Sequence, residues 1–344
     1  MNIFITGGFG FIGSNFILRF INQNNVNILN YDKLTYAGNL DNLKSIENFE
    51  NYNYVIGDIC DKKLVKDTIQ DFNPDIILHF AAESHVDRSI KNPFEFIETN
   101  VIGTSVLLNE ALSYYNQLSE DKKTIFKFIH VSTDEVYGSI LEGSFTEDSN
   151  FSPNSPYSAS KASAEHFVMA WNKTFNIPIN IVNCTNNYGP FQYPEKLIPV
   201  TILSCILNKS IPIYGKGDNI RDWIYVQDHC DAIFQVIKDA PAGQKYNIGS
   251  KTELTNIEIV EKICKLMDKY YPSKSIESYV NLMKFVEDRP GHDFRYSLNI
   301  DKINNDLNWL PSKSISEGLE DTVKWYIKNK DWWNKILSIE KEIE

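Results

Sequence analysis

The stretch ITGGFGFIGS, residues 5–14, constrains the fold more than any other segment of the chain. It sets Gly7, Gly10 and Gly13 in a G-x-x-G-x-x-G spacing between an apolar strand-like run and an amphipathic helical one. Glycine lets the backbone turn tightly and approach a pyrophosphate closely, and the charge of that group then rests on the N-terminus of the following helix. The strand before the turn and the helix after it are the context in which this spacing is a binding loop rather than simple turn chemistry.

The same alternation continues. NIFITG, VNILNYD, NYVIGD, DIILHFAA, IFKFIHVS and INIVNCTN are short, continuous apolar runs, and between them lie FIGSNFILRFI, KKLVKDTIQDF, NVIGTSVLLNEAL and SKASAEHFVMAW. Continuous apolar strands separated by helices predict a parallel sheet covered on both faces. The expected class is α/β: a doubly wound parallel-sheet Rossmann domain with a smaller, interleaved α/β substrate-binding domain. After residue 184 the rhythm turns Pro- and Gly-rich, but WIYVQDHCDAIFQVI and KYNIGS again read as helix and strand. The division expected is residues 1–184 plus about 221–250 for the dinucleotide unit, and about 185–220 plus 251–344 for the second.

At 344 residues with 42% hydrophobic residues, the chain can bury a large core. A net charge of −11 argues against binding nucleic acid or anionic membranes through a general basic surface. Anionic ligands must therefore be held by a few local donors. No apolar run approaches a membrane span, and MNIFITGG enters a strand with no basic leader, so a cytoplasmic location is expected. Cys60, Cys184, Cys205, Cys230 and Cys264 form no C-x-x-C pair and read as reduced thiols. His79, His130, His166 and His229 show no metal-ligand spacing, and no metal is expected. The tail SIEKEIE reads as a solvated helix end.

Asp32 closes the run NILNYD about 20 residues beyond the glycine loop, where a carboxylate accepts hydrogen bonds from an adenosine ribose. Its charge repels a 2′-phosphate, which favours NAD over NADP. Asp58 in VIGDI faces the adenine edge or caps the following helix. Tyr157 and Lys161 in SPYSASKASAEHF stand four apart and share a helix face. An ammonium beside a phenol stabilises the phenolate, so this pair is expected to lower the Tyr157 pKa and make it a usable base.

These segments, together with YDKLTYAGNLDNL, HFAAESHVDRSI, HVSTDEVYG, NNYGPFQYPEKLIP, IPIYGKGDNIRDWIYVQDH and VEDRPGHDFRYSLN, resemble the extended short-chain dehydrogenases/reductases. Within them the resemblance is to the dTDP-glucose 4,6-dehydratases, over nearly the whole chain. It implies internal redox. Tyr157 takes the proton of the sugar 4-hydroxyl as hydride leaves carbon 4 for NAD, and the ketone formed acidifies the hydrogen on carbon 5. Glu135 removes that hydrogen, Asp134 protonates the departing 6-hydroxyl, and Thr133 hydrogen-bonds the 4-oxygen. Hydride then returns to carbon 6 and the cofactor ends as it began.

The resemblance further implies NAD contacts at Phe11, Ile12, Lys33, Leu34, Thr35, Asp58, Ile59, Ala81, Ala82, Ser84, Thr99 and Asn187, besides Tyr157 and Lys161. For the nucleotide sugar it implies Ser84 or His85, Thr133, Asn186, Glu195, Lys196, Leu197, Pro212, Tyr214, Arg221, Asn256, Arg289 and His292. Arg221 and Arg289 suit a diphosphate because guanidinium pairs bidentately with phosphate, and Tyr214 either flanks the base or packs between domains. A homodimer through helices at roughly 95–115 and 157–174 is implied as well.

Other readings stay open at this stage. A UDP-glucose dehydratase differs in substrate by one methyl group, a discrimination of about 1–3 kcal/mol. A sugar-nucleotide 4-epimerase needs no acid or base at carbons 5 and 6, which Asp134 and Glu135 argue against. A non-catalytic NAD sensor needs none of Thr133, Asp134, Glu135, Tyr157 and Lys161.

Overall fold

The structure, a computed structural model, describes residues 1–288 and 290–343, with side chains through 338. Twelve strands are present among them: β1 (Asn2–Thr6), β2 (Asn27–Asp32), β3 (Tyr52–Ile56), β4 (Ile76–His79), β5 (Lys127–Thr133), β6 (Ile179–Cys184), β7 (Asn186–Tyr188), β8 (Ile211–Tyr214), β9 (Ile220–Tyr225), β10 (Gln244–Ile248), β11 (Glu253–Thr255) and β12 (Met283–Val286). Seven form one sheet in the order β10-β6-β5-β4-β1-β2-β3. Every neighbouring pair in it is parallel.

The apolar strand runs cover both faces because successive side chains point to opposite sides. Ile3 and Ile5 of β1 join one buried cluster with Phe16, Ile17, Ile28 and Leu78. Phe4 between them joins the other, with Tyr31, Ile77, Phe128, Ile179 and Ile181. Helices Phe11–Phe20 and Val226–Asp239 cover the first face, and Lys62–Phe72, Thr104–Tyr115 and Pro156–Phe175 contribute to the second. Strand order reverses between β1 and β4, and the crevice at their carboxyl ends is where open α/β sheets take ligands.

A third cluster gathers Tyr188, Ile198, Ile202, Trp223, Tyr225, Ile259, Ile263 and Val323 around two small sheets, β11-β9-β7 and β12-β8. Helices Leu197–Ile206, Asn256–Tyr270 and Ile315–Lys328 supply most of it. The chain crosses repeatedly between the two regions. Helix Val226–Asp239 and β10 return to the large sheet, and so do Ile300, Ile303, Leu307 and Trp309. The last helix, Lys330–Ile343, ties the ends of the chain together through Trp332, whose Nε1 donates to Asn42 Oδ1 at 2.7 Å.

Gly7 has φ +74°, and a Cβ on Gly13 would lie 2.4 Å from the Gly7 carbonyl oxygen. The loop therefore packs backbone on backbone. Gly13→Ala is expected to lower stability by about 1–3 kcal/mol, the usual range for overpacking, and a urea-unfolding midpoint equal to wild type would contradict this packing.

Candidate active site

A crevice of about 330 Å³ runs along the carboxyl ends of β1, β2, β4 and β5. At one end sits the glycine loop. Helix Phe11–Phe20 begins at Gly10 with no side-chain cap, so its first-turn N–H groups remain donors at the crevice. Asp32 is buried at the end of β2, where its two oxygens accept from Phe9 N at 2.9 Å and Leu34 N at 2.8 Å. Lys33 pairs with Asp58 at 2.7 Å on the rim. The following helix is capped by Asp61, which accepts from Leu64 N, so Asp58 is left facing the crevice. Cradle, ribose-side carboxylate and open donors fit a dinucleotide.

At the other end β5 terminates in Ser132 and Thr133, and a single 3₁₀ turn, Asp134–Tyr137, follows. Thr133 Oγ1 caps this turn by accepting from Glu135 N at 3.2 Å, and its hydroxyl donates to Asp134 Oδ1 at 3.2 Å. The turn thus sends Asp134 inward while Glu135 stays partly open to the crevice. Burial, then the Glu135 charge, pushes the Asp134 carboxyl well above its ordinary range, against a smaller opposing pull from Arg221. A buried carboxyl pushed towards its acid form and a partly open one stand side by side.

Tyr157 enters from helix Pro156–Phe175, whose start is fixed by a reciprocal Ser155–Ser158 capping box. The lowered Tyr157 pKa anticipated from the four-residue spacing is not found. Burial first, then Glu135 and Cys184, push the phenol well above 10, and neighbouring Thr133 opposes this only in part. Lys161 shares the crevice but donates its Nζ to the Val131 carbonyl at 2.8 Å. Burial pulls Lys161 down to about 8, against Glu165, which raises it.

The crevice is lined by Gly7, Gly10, Phe11, Ile12, Gly13, Asp32, Lys33, Thr35, Asp58, Ile59, Ala81, Ala82, Ser84, Thr99, Thr133, Asp134, Glu135, Tyr157, Lys161, Asn186, Asn187, Glu195 and Lys196. Leu34, His85, Leu197, Pro212, Tyr214, Arg221, Asn256 and His292 are not on that lining. His85 Nε2 lies 3.7 Å from Glu195 Oε2, one step behind it. Arg221 is buried and donates to the carbonyls of Ile220, Asp293 and Phe294 at 2.7–3.1 Å, with Tyr296 stacked 4.3 Å away. Tyr214 is exposed at the end of β8, and His292 pairs with Asp288 at 2.7 Å. Arg289 lies outside the described residues.

Sequence reasoning missed three contributors. Glu83 lines the crevice with its carboxyl pushed up to about 7 by burial. The signal was a lone charge directly after the apolar run HFAA. Asn100, in a π-helical stretch Ile97–Gly103, clamps both backbone groups of Glu83 and donates to Ser160 Oγ at 2.8 Å. Tyr36 donates to Glu195 Oε1 at 3.0 Å under the Arg88 guanidinium, which sits 3.4 Å above its ring. Among the described residues no His, Cys, Asp or Glu cluster suits a metal ion, and no helix is long and apolar enough to cross a membrane.

Residues 4–322 match the family model described as GDP-mannose 4,6 dehydratase. The chain is 47% identical to a dTDP-glucose 4,6-dehydratase of Escherichia coli over 349 residues, covering 98% of this chain and 96% of that one. It belongs to the dTDP-glucose 4,6-dehydratase family. Solved members superpose closely. The Bacillus anthracis enzyme, in complex with NAD, gives a TM-score of 0.86 at 43% identity, covering 98% of this chain and 99% of that one. The Streptomyces venezuelae enzyme, also with NAD bound, gives 0.89 at 40% identity, with 98% and 100% covered. The Rossmann architecture read from the strand alternation is thus that of the dTDP-glucose 4,6-dehydratases.

If Asp134 is held protonated by its surroundings, the protein at pH 7 will show a protonated-carboxyl stretch in the infrared that Asp134→Asn removes. The band is expected to fade as pH rises through the raised pKa. A spectrum at pH 7 unchanged by the substitution would exclude a protonated Asp134.

Proposed function

We propose that the chain converts dTDP-glucose to dTDP-4-keto-6-deoxyglucose and water by internal redox. The observation that carries this reading is the Asp134–Glu135 pair at the end of β5, one carboxyl buried and pushed towards its acid form, beside Tyr157 on the same crevice. The family membership supports it, and so does the fit of the glycine cradle and Asp32 to NAD. NAD bound there would supply the acceptor that takes hydride from carbon 4 and gives it back at carbon 6, and its cationic ring would add positive charge near the Tyr157 phenol.

The chain's own residues supply the proton traffic. Tyr157 receives the proton of the 4-hydroxyl as the phenolate that the Lys161 ammonium and bound NAD would favour, and Thr133, beside it on the crevice, steadies the 4-oxygen. Lys161 contributes the fixed positive charge on the same helix face. Once carbon 4 is a ketone, Glu135 removes the hydrogen of carbon 5. Asp134 gives its proton to the 6-hydroxyl, which leaves as water. Glu135 then returns its proton to carbon 5, and the proton taken up at Tyr157 replaces, by way of solvent, the one Asp134 gave to the leaving water, so atoms balance with no net change of the cofactor.

Incubation with dTDP-glucose followed by mass spectrometry is expected to show loss of one water with no net NADH, and an unchanged mass would sink the proposal. A run with UDP-glucose under the same conditions is expected to be slower; equal kcat/KM would remove the preference for the thymine nucleotide. Glu135→Gln is expected to accumulate NADH absorbance with substrate while dehydration falls by roughly 10²–10⁴-fold, the usual contribution of an acid–base group. Wild-type dehydration in that variant would reassign the base.

The assembly reading is a homodimer in a cytoplasmic setting. Ile97 and Ile102 are 45% and 51% exposed, and Val101, Val106, Phe167 and Trp171 lie beside Ile102 on the two helical segments named from sequence. An exposed apolar stripe of this kind suits a second copy of the chain. All five cysteines are free thiols, as a reducing compartment would keep them. Ile102→Glu is expected to shift sedimentation from dimer to monomer, and a wild type that sediments as a monomer would rule the assembly out.

A further inference from the structure

Behind Lys161 lies a row of buried charges that the reaction scheme does not use. Glu165 is one turn further along the same helix and fully enclosed. Its Oε1 accepts from Asn183 Nδ2 at 2.6 Å, and that same amide donates to the Thr133 carbonyl at 3.0 Å. On the far side, Lys245 of β10 brings its Nζ to 3.6 Å from Glu165 Oε2. The Lys245 ammonium is itself boxed between the rings of Tyr137 and Phe151 at 4.7 and 4.3 Å. A carboxylate this deep is kept only where ammonium and amide partners hold it.

We infer that Glu165 is a positioning residue of the dehydratase: its carboxylate, fastened by Asn183 and backed by Lys245, keeps the Lys161 ammonium charged and ties the helix to the Thr133 end of β5. The inference rests on the function proposed above and adds a residue that does not line the crevice. Two fasteners join this helix to alternate residues of one strand, Lys161 to the Val131 carbonyl and Glu165, through Asn183, to the Thr133 carbonyl. Tyr157, Lys161 and Thr133 thereby hold one register.

The other groups facing Lys161 supply no countercharge. His79 of β4 and His130 of β5 are buried, and burial first and the Lys161 charge second hold both well below their ordinary pKa, so they are neutral. Cys184 of β6 is a buried thiol pushed up to about 12, and burial first raises the Tyr157 phenol well above its ordinary value. Around Glu165 stand Lys245, Ser132, Asn183, Lys161 and the Tyr137 ring system, with Glu147 beyond Lys245. Glu165 is the carboxyl in this set that acts on Lys161, ahead of a smaller contribution from the Cys184 thiol. Without it, desolvation outweighs the influences that remain on the lysine, and the proton is lost at lower pH.

The test titrates the lysine itself in NAD-loaded protein carrying 13C at lysine Cε, with the Lys161 signal assigned by its loss in Lys161→Arg. In Glu165→Gln the Lys161 midpoint is expected to fall by about one pH unit, as removal of a nearby opposite charge does. Glu165→Asp is expected to recover most of that fall. Should the single variant not fold because Lys245 is left unpaired, Glu165→Gln combined with Lys245→Met removes both buried ions and is expected to show the same direction. A midpoint at the wild-type value in either variant, even with lowered thermal stability, overturns the inference. Because the readout is a titration and not turnover, its failure is separable from a failure to dehydrate dTDP-glucose.

Discussion

Parallel pairing of seven strands is the constraint from which the rest of this structure follows. Parallel strands end on the same edge, so each strand–helix junction opens onto one side of the sheet. The glycine loop after β1, Asp32 at β2, Ala81 to Ser84 beyond β4 and the Thr133–Glu135 turn after β5 are brought together by that geometry alone. No long-range side-chain recognition is needed to assemble them. The reversal of strand direction in the order of connection between β1 and β4 then leaves a gap that no crossover covers.

Within that gap, desolvation outweighs nearly every other influence on charge. Asp32, Glu83 and Asp134 are carboxyls raised chiefly by burial, as is Glu165 behind the crevice, in a protein with a net negative charge. Acidity is distributed by depth: Asp134, turned inward by the Thr133 cap, is pushed towards its acid form, and its neighbour stays nearer the crevice. Two adjacent carboxyls meet different surroundings because a single 3₁₀ turn orients them differently.

Local patterns made much of this legible. Period-two burial on both faces, the glycine spacing and the i,i+4 relation of Tyr157 and Lys161 are properties of a few neighbouring residues, and sequence reports such properties directly. Competition among partners is not local. Spacing says that Lys161 shares a face with Tyr157, but not that the Val131 carbonyl claims its Nζ. The basic character of Arg221 suggests phosphate, but not that three backbone carbonyls surround it. Asn183 is one polar letter in INIVNC, and its bridging of Glu165 to Thr133 depends on two other elements.

The hydrogen bond from Trp332 to Asn42 spans 290 positions of sequence. Phe9 O, in the glycine loop, also accepts from the Asn42 side chain, so the clasp reaches the cofactor end of the crevice. During synthesis the first forty or so residues emerge long before their partner exists, and β10, the outermost strand of the large sheet, is likewise made late. The nucleotide cradle is therefore the earliest part of the protein to be made and among the last to be locked. A chain cut short before Trp332 would carry Thr133, Asp134, Glu135, Tyr157 and Lys161, while Asn42, which holds the Phe9 carbonyl of the glycine loop, would lack its distal partner.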